Sequence, residues 1–175
     1  MALVDPIEIQ SSRINLKPFT SNDAEECYAC ITPSLTRYMS WDPPQDQAAF
    51  ELIWRVWLNT IKAGSDLNFV IRHKLNHEFL GLVGLHQSLG TTPELGIWIR
   101  EDRHGFGYGK EAVTTIVHWA STIRNDLQHF IYPVAVENHS SRQIAESLNG
   151  LAIYCSQQPK YKSMTYHIPK SVKRT

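Results

Sequence analysis

Cysteine, net charge and long apolar runs are all scarce in this chain of 175 residues. Its three cysteines, Cys27, Cys30 and Cys155, are too few and too unevenly spaced for a disulfide framework. Lysine and arginine total 17, as do aspartate and glutamate, so no overall field favours nucleic acid or an anionic membrane. No stretch approaches the roughly 18 apolar residues of a membrane span, and residues 1–20 lack the pattern of a secretory leader. These absences favour a reduced, cytoplasmic protein without nucleic-acid or membrane partners.

The pair Cys27-x-x-Cys30 has the spacing of some redox and metal motifs. It lies in a pattern typical of a helix, with no strand before it and no second cysteine or histidine pair to complete a zinc site. Packing inside a helix is therefore the favoured interpretation, and no metal is expected.

Hydrophobic periodicity and turn residues predict one mixed α/β domain over residues 1–175. A strand over 13–19 precedes a helix that reaches about residue 31, and an amphipathic helix over about 46–63 stops at Gly64. Three further strands follow with no helix between them, at residues 67–73, 79–86 and 94–99. The middle of the sheet is therefore predicted to be antiparallel.

The second half of the chain alternates helices with strands. A helix over about 109–123 leads to a strand over 130–136, and this crossover should be parallel and right-handed. A helix over 140–148 and strands over 151–155 and 164–168 complete the pattern. The fold class is thus an α+β mixed sheet, mostly antiparallel and flanked by helices.

A glycine-rich segment joins the strand at 94–99 to the helix at 109–123. Its residues are Arg103, His104, Gly105, Phe106, Gly107, Tyr108, Gly109 and Lys110. The glycines leave room for a phosphate, backbone N–H groups at a helix N-terminus bind anions, and the arginine and lysine add charge. The spacing fits neither the dinucleotide-binding fingerprint nor a Walker loop, and the glycines alone are also typical of a flexible turn.

The setting of this segment resembles the cofactor motif of the general N-acetyltransferase (GNAT) superfamily. In that motif a strand runs into (Gln/Arg)-x-x-Gly-x-(Gly/Ala) and a helix, and His104, Gly107 and Gly109 stand at the three defined positions. His104 replaces the usual arginine or glutamine, and Arg103 could supply the charge. The resemblance implies that residues 103–110 bind the pyrophosphate of acetyl-coenzyme A, mostly through backbone amides.

A second segment, Asn138-His-Ser-Ser-Arg-Gln-Ile-Ala-Glu-Ser-Leu-Asn-Gly150, is similar to the family's N-x-x-S-x-x-(V/I)-x-E-x-L-G-(F/G). With the segments 13–19 and 36–41, it gives a resemblance to the RimJ/RimL branch over about residues 10–169. The resemblance implies a sheet split by a V-shaped cofactor cleft. Trp98, Ile99 and Asn138 would flank the pantetheine arm there, although asparagine is also a favoured helix cap.

The resemblance also implies an enzyme in which a neutral amine attacks the acetyl thioester directly. Glu94 is the predicted proton acceptor, acting directly or through water, and Ser141 is the predicted donor to the departing sulfur. The serine has this role because Ala145 stands where many relatives have tyrosine. A solvated strand-end charge and a helix-cap serine are the structural alternatives.

Tyr38, Trp41 and Asp42 lie in a proline-interrupted segment that lines the acceptor pocket in the family, and they are predicted to contact the acceptor. Only Asp42 and Asp46 are acidic around this segment, which favours a peptide or protein N-terminal amine over a polyamine. A small-amine acceptor stays open, as does a non-catalytic acyl-coenzyme A sensor that keeps the fold. A monomer and a homodimer are both compatible with the sequence.

Overall fold

A computed structural model describes residues 7–171, and residues 1–6 and 172–175 of the predicted domain lie outside the described residues. The strands are β1 Ile9–Gln10, β2 Ile14–Pro18, β3 Leu67–His73, β4 Phe79–His86, β5 Glu94–Ile99, β6 His129–Ala135, β7 Leu151–Gln157 and β8 Lys162–Pro169. The α-helices are α1 Ala24–Ala29, α2 Pro33–Thr36, α3 Gln47–Ala63, α4 Tyr108–Ile123 and α5 His139–Ser147. That residues 1–175 form a single domain stays a prediction.

The strands form one sheet in the order β1-β2-β3-β4-β5-β6-β8-β7. Neighbouring strands are antiparallel except β5 and β6, which run parallel and are joined through α4. The predicted mixed sheet, its antiparallel middle and its parallel crossover are therefore confirmed. β1 was not predicted, because two residues are too short to show a period.

Helix ends lie where capping residues stand in the sequence. Asp46 Oδ1 accepts the Ala49 N–H at 2.7 Å at the start of α3, and Gly64 ends that helix in the left-handed conformation at φ 72°. α4 begins at Tyr108, one residue earlier than predicted, since Gly107 is its N-cap. The last two strands are longer than predicted because the β7–β8 hairpin stays paired out to Gln157.

β5 and β6 separate along most of their length. Their register contains a single paired position, Glu94 with Ile131, whereas β5 pairs with β4 from Glu94 to Ile99. The sheet is therefore divided by a V-shaped gap whose vertex lies at Glu94. This gap is the cleft that the family resemblance implies.

Each face of the sheet is covered by helices. On one face, α4 packs Val113, Ile116 and Val117 against strand residues in the larger of two buried clusters. On the other face, α1 and α3 cover a smaller, aromatic cluster around Phe50 and Trp98. Residues of β4 and β5 that face α3 therefore lie beneath an aromatic layer.

Cys27 is fully buried in the aromatic cluster. Burial raises the pKa of its thiol, and also that of Cys30, so both favour the protonated form that is unsuited to metal binding or redox chemistry. Among residues 7–171, no group of three or more His, Cys, Asp or Glu side chains could hold a metal ion. None of the helices in the same range is both long and apolar enough to span a membrane.

Candidate active site

Two cavities meet at the V-shaped gap. The glycine cavity, of about 500 Å³, is lined by residues 103–105 and 107–110 and by the start of α5. The aromatic cavity, of about 700 Å³, lies between residues 38–44, β4, β5 and β6. Residues that line both cavities include Ile97, Trp98, Asn138 and Ser141. A group held in one cavity can therefore meet a group held in the other beside these residues.

The glycine segment turns from β5 into α4 through two left-handed residues. Gly105 has φ 83° and Gly107 has φ 80°, conformations that strain other residues. Gly107 is the N-cap of α4, and the first N–H groups of that helix have no partner within the helix. A Cβ at Gly109 would lie 3.4 Å from Ile144 Cδ1, so the start of α4 packs beside α5. The segment has the backbone of an anion site.

Arg13, which no sequence pattern indicated, holds this segment in place although it lies 93 residues before Phe106 in the chain. Its Nη1 donates to the Phe106 carbonyl at 3.0 Å and its Nε to Glu111 Oε2 at 2.7 Å. Its guanidinium also lies 4.6 Å from the centre of the Tyr108 ring, which stacks on Phe106. These contacts hold the turn without using the backbone N–H groups at the start of α4.

The predicted positive side chains differ in their surroundings. Lys110 is exposed at the rim of the glycine cavity, in the first turn of α4. Arg103 lines the same cavity, but its guanidinium pairs with Glu78 at 2.5 Å and with Asp102 at 3.4 Å. His104 Nε2 lies 2.6 Å from the Ile99 carbonyl oxygen. The histidine ring therefore contacts the β5 backbone, and Lys110 carries the less compensated charge.

Asn138 caps α5, since its Oδ1 accepts the Ser141 N–H at 3.2 Å. The helix-cap alternative for this asparagine is thus observed, and it occupies only the oxygen of the amide. Both residues line the two cavities, so the first turn of α5 stands opposite Trp98 across the gap.

Tyr132 of β6 carries a buried hydroxyl that no sequence motif indicated. The side chain is 1% exposed, and among residues 7–171 its hydroxyl is one of two buried side-chain polar atoms without a hydrogen-bond partner. It faces Ser141 without forming a hydrogen bond to it, and burial raises its pKa, which keeps it protonated. An unpaired buried hydroxyl costs about 1–3 kcal/mol, so it needs an explanation such as a ligand.

Glu94 lies at the vertex of the gap, on the wall of the aromatic cavity. Burial raises the pKa of its carboxyl, and the neighbouring His86 opposes this shift. His86 is its registered partner on β4, and its Nδ1 lies 3.4 Å from Asp66 Oδ1. Tyr161 stands close enough to the carboxylate for Glu94 to add to the rise that burial causes in its pKa.

Tyr38, Trp41 and Asp42, which are predicted to contact the acceptor, all line the aromatic cavity. Lys160, from the turn between β7 and β8, holds this segment in place. Its Nζ donates to Asp42 Oδ1 at 2.8 Å, to the Trp41 carbonyl at 3.0 Å and to the Thr36 carbonyl at 2.9 Å. The charge of Asp42 is therefore paired, and nothing in the sequence pattern indicated its partner.

A family model described as an acetyltransferase (GNAT) domain matches residues 13–150, well over half of the sequence. The chain belongs to this acetyltransferase family. No protein of curated function matches the sequence.

Solved structures show the same fold at low sequence identity. RimL, a ribosomal L7/L12 α-N-protein acetyltransferase in complex with coenzyme A, has a TM-score of 0.82 at 14% identity, over 93% of this chain and 98% of that chain. An acetyltransferase from Salmonella typhimurium that modifies the N-terminal serine of ribosomal protein L7/L12 has a TM-score of 0.78 at 14% identity, over 92% of this chain and 97% of that chain. Spermidine N-acetyltransferase from Vibrio cholerae, in complex with coenzyme A and spermine, has a TM-score of 0.77 at 16% identity, over 91% of this chain and 97% of that chain.

Proposed function

We propose that this acetyltransferase moves the acetyl group of acetyl-coenzyme A to the N-terminal amine of a peptide or protein. The observation that carries the proposal is the meeting of two unlike cavities at the opened strand pair. One has a helix N-terminus suited to an anion, and the other has a single unpaired carboxylate suited to one amine. We also propose that it acts in the cytoplasm, since its described cysteines are free thiols.

The residues of the glycine cavity fit acetyl-coenzyme A, which supplies an anionic pyrophosphate and an acetyl thioester. We infer that residues 103–110 hold the pyrophosphate through the N–H groups at the start of α4, with Lys110 adding charge. Trp98, Ile99 and Asn138 flank the pantetheine arm in the gap. The buried Tyr132 hydroxyl fits a polar group that enters the gap beside Ser141.

The proton chemistry falls to residues on the two sides of the gap. An α-amino group has a reference pKa of about 7.7–8.0, so much of it must lose a proton before it can attack. We infer that this proton ends on Glu94, at the vertex of the gap. The Ser141 hydroxyl donates a hydrogen bond toward the sulfur that departs.

The charges of the aromatic cavity favour one amine over several. Its acidic lining residues are Asp42 and Glu94, and Lys160 already pairs with Asp42. Asp46, the other acidic residue of the segment, caps α3. A polyamine such as the spermine held by the Vibrio cholerae relative needs several clustered carboxylates. A single amine next to a peptide chain suits the large, aromatic cavity better.

An acceptor panel tests this choice by following the release of the coenzyme A thiol. The panel contains tetrapeptides with free N-termini, single amino acids and spermidine at equal concentrations. The tetrapeptides should give the largest kcat/KM, with an N-terminal serine peptide included because a relative acts on serine. Faster turnover of spermidine would overturn the choice. Binding of acetyl-coenzyme A without turnover of any acceptor would favour the sensor alternative.

Replacing Glu94 with glutamine should lower kcat/KM by about 10²-fold or more at low pH and less at high pH, where deprotonated amine is plentiful. Because burial raises the pKa of Glu94, the wild-type rate should begin to fall at a higher pH than an ordinary glutamate would give. The measurement is a pH profile of kcat/KM, with Glu51→Gln, a partly exposed glutamate on α3, as control. A uniform loss across pH would remove the proton-accepting role.

A further inference from the structure

The imidazole of His86 lies over two glycines that face each other across β4 and β5. Gly84 and Gly96 are registered partners, and a Cβ at position 84 would lie 2.5 Å from His86 Nε2, while one at 96 would lie 3.3 Å away. A larger residue at position 84 would therefore displace the ring. Glycine inside a strand often marks such a close approach, and here it admits an imidazole to the floor of the aromatic cavity.

The ring thus extends inward from its own position on β4. Registered residues of antiparallel strands share a face of the sheet. On this face the pairs follow one another in the order His86–Glu94, Gly84–Gly96 and Leu82–Trp98, so the glycine pair lies between the histidine and Trp98. Trp98 lines both cavities. His86 Nε2 therefore stands nearer than the backbone of Glu94 to the place where the two cavities meet.

Asp66, in the turn before β3, sets the orientation of this ring. Its Oδ1 lies 3.4 Å from His86 Nδ1 and accepts the Gln87 N–H at 3.1 Å, so the carboxylate is held in place. A carboxylate beside Nδ1 favours the tautomer with the hydrogen on Nδ1. Nε2 then carries a free lone pair and can accept a proton.

We propose that His86 Nε2 takes the proton from the acceptor amine, with Asp66 as its positioning residue. The proposal rests on the proposed amine acetylation. The N–H proton moves to Nε2, its bonding pair stays on the amine nitrogen as the attacking lone pair, and the imidazolium passes the proton to Glu94 or to solvent. The groups that face the ring are Asp66 from the α3–β3 turn and Glu94 from β5, with Tyr161 beyond Glu94.

The pH dependence of His86→Gln separates this role from packing. With acetyl-coenzyme A and a tetrapeptide with N-terminal serine, kcat/KM should fall about 10²-fold near pH 6.5 and only about threefold near pH 9.5, where the amine is already neutral. A packing role would lower the rate equally at all pH values, and that result would overturn the proposal. His118→Gln, on the exposed side of α4, is the matched control and should leave kcat/KM unchanged at both pH values.

A second readout needs neither acceptor nor turnover. Nitrogen-15 NMR of the wild-type protein should show His86 as the Nδ1–H tautomer, and Asp66→Asn should shift it toward Nε2–H. An Nε2–H tautomer in the wild type would overturn the proposal, even if His86→Gln failed to fold. If the wild type acetylates no amine yet raises its melting temperature with acetyl-coenzyme A, the proposed function fails and the proton-accepting role of His86 fails with it. If the wild type acetylates an amine and His86→Gln lowers its kcat/KM equally at all pH values, the proposed function stands and only the proton-accepting role of His86 is ruled out.

Discussion

The glycine cavity and the aromatic cavity are built in different ways. The first is lined by the glycine segment and the start of α5, which offer backbone groups at helix N-termini, and also by residues 34–39 and the end of β5. The second is assembled from residues 38–44, the strands β4, β5 and β6, and the β7–β8 hairpin, and it offers side chains. We therefore expect adjacent residues of one motif to supply many of the proposed cofactor contacts, whereas the proposed acceptor contacts come from distant parts of the chain.

The sharpest test of the backbone-built half is Gly107→Glu. The change forces a side chain into the left-handed N-cap of α4 and places a negative charge where we propose pyrophosphate binds. Wild-type protein should gain about 2.7 kcal/mol of stability at a hundredfold excess of acetyl-coenzyme A over its dissociation constant, and the variant should gain none. Thermal unfolding with and without cofactor measures both values.

Gly107→Asn is the matched control for this change. Asparagine tolerates the left-handed conformation better than other residues and adds no charge, so much of the thermal shift should survive. If Gly107→Glu keeps the full shift, the cofactor does not lie on this segment and the contrast between the two cavities collapses.

A smaller effect is expected where the two cavities meet. Tyr132→Phe removes one buried hydroxyl that has no partner among the described residues, so the free energy of unfolding should stay equal or rise by about 1 kcal/mol. Turnover should fall by about tenfold, less than the roughly 10²–10³ of a donor that touches the developing charge. Ser141→Ala should lower kcat more, with cofactor affinity nearly unchanged. Urea unfolding and kcat are measured on the same samples. A Tyr132→Phe enzyme that is destabilised but fully active would contradict the proposal that this hydroxyl binds a polar group in the gap.

The smallest effect should come from the side-chain-built half. Lys160→Met releases the 36–42 segment, and an ion pair this exposed is worth at most about 1 kcal/mol. The acceptor KM should rise about fivefold at most, while the cofactor-induced thermal shift stays constant. Steady-state kinetics with Lys162→Met, on the same hairpin, as control would show this. Equal loss of cofactor binding would mean that the two halves are not separable.

The sequence was a good guide to elements long enough to show a period. β3, β4 and β5 have the predicted bounds, and α3 ends at its predicted glycine, because local patterning and capping decide these limits. β1 and the far end of the β7–β8 hairpin depend on pairing with other strands, which local pattern does not record.

The same distinction between local pattern and distant contacts applies to the residues of the site. Structure brings Glu94, Asn138 and Ser141 around one gap, as the family resemblance implies, although their roles stay proposals. Arg13 and Lys160 were missed because each acts on a segment far away in sequence. His86 looked like an ordinary strand end. Its setting depends on two glycines and an aspartate that only the folded sheet brings together.

The single paired position between β5 and β6 makes the sheet two panels joined at one corner. Along the rest of that seam the backbone amides have no partner in the facing strand, so their hydrogens should exchange with solvent sooner than those between β3 and β4. A ligand that carries its own amides would act as an extra strand between the panels. Cofactor binding would then complete secondary structure, and both panels would gain protection together.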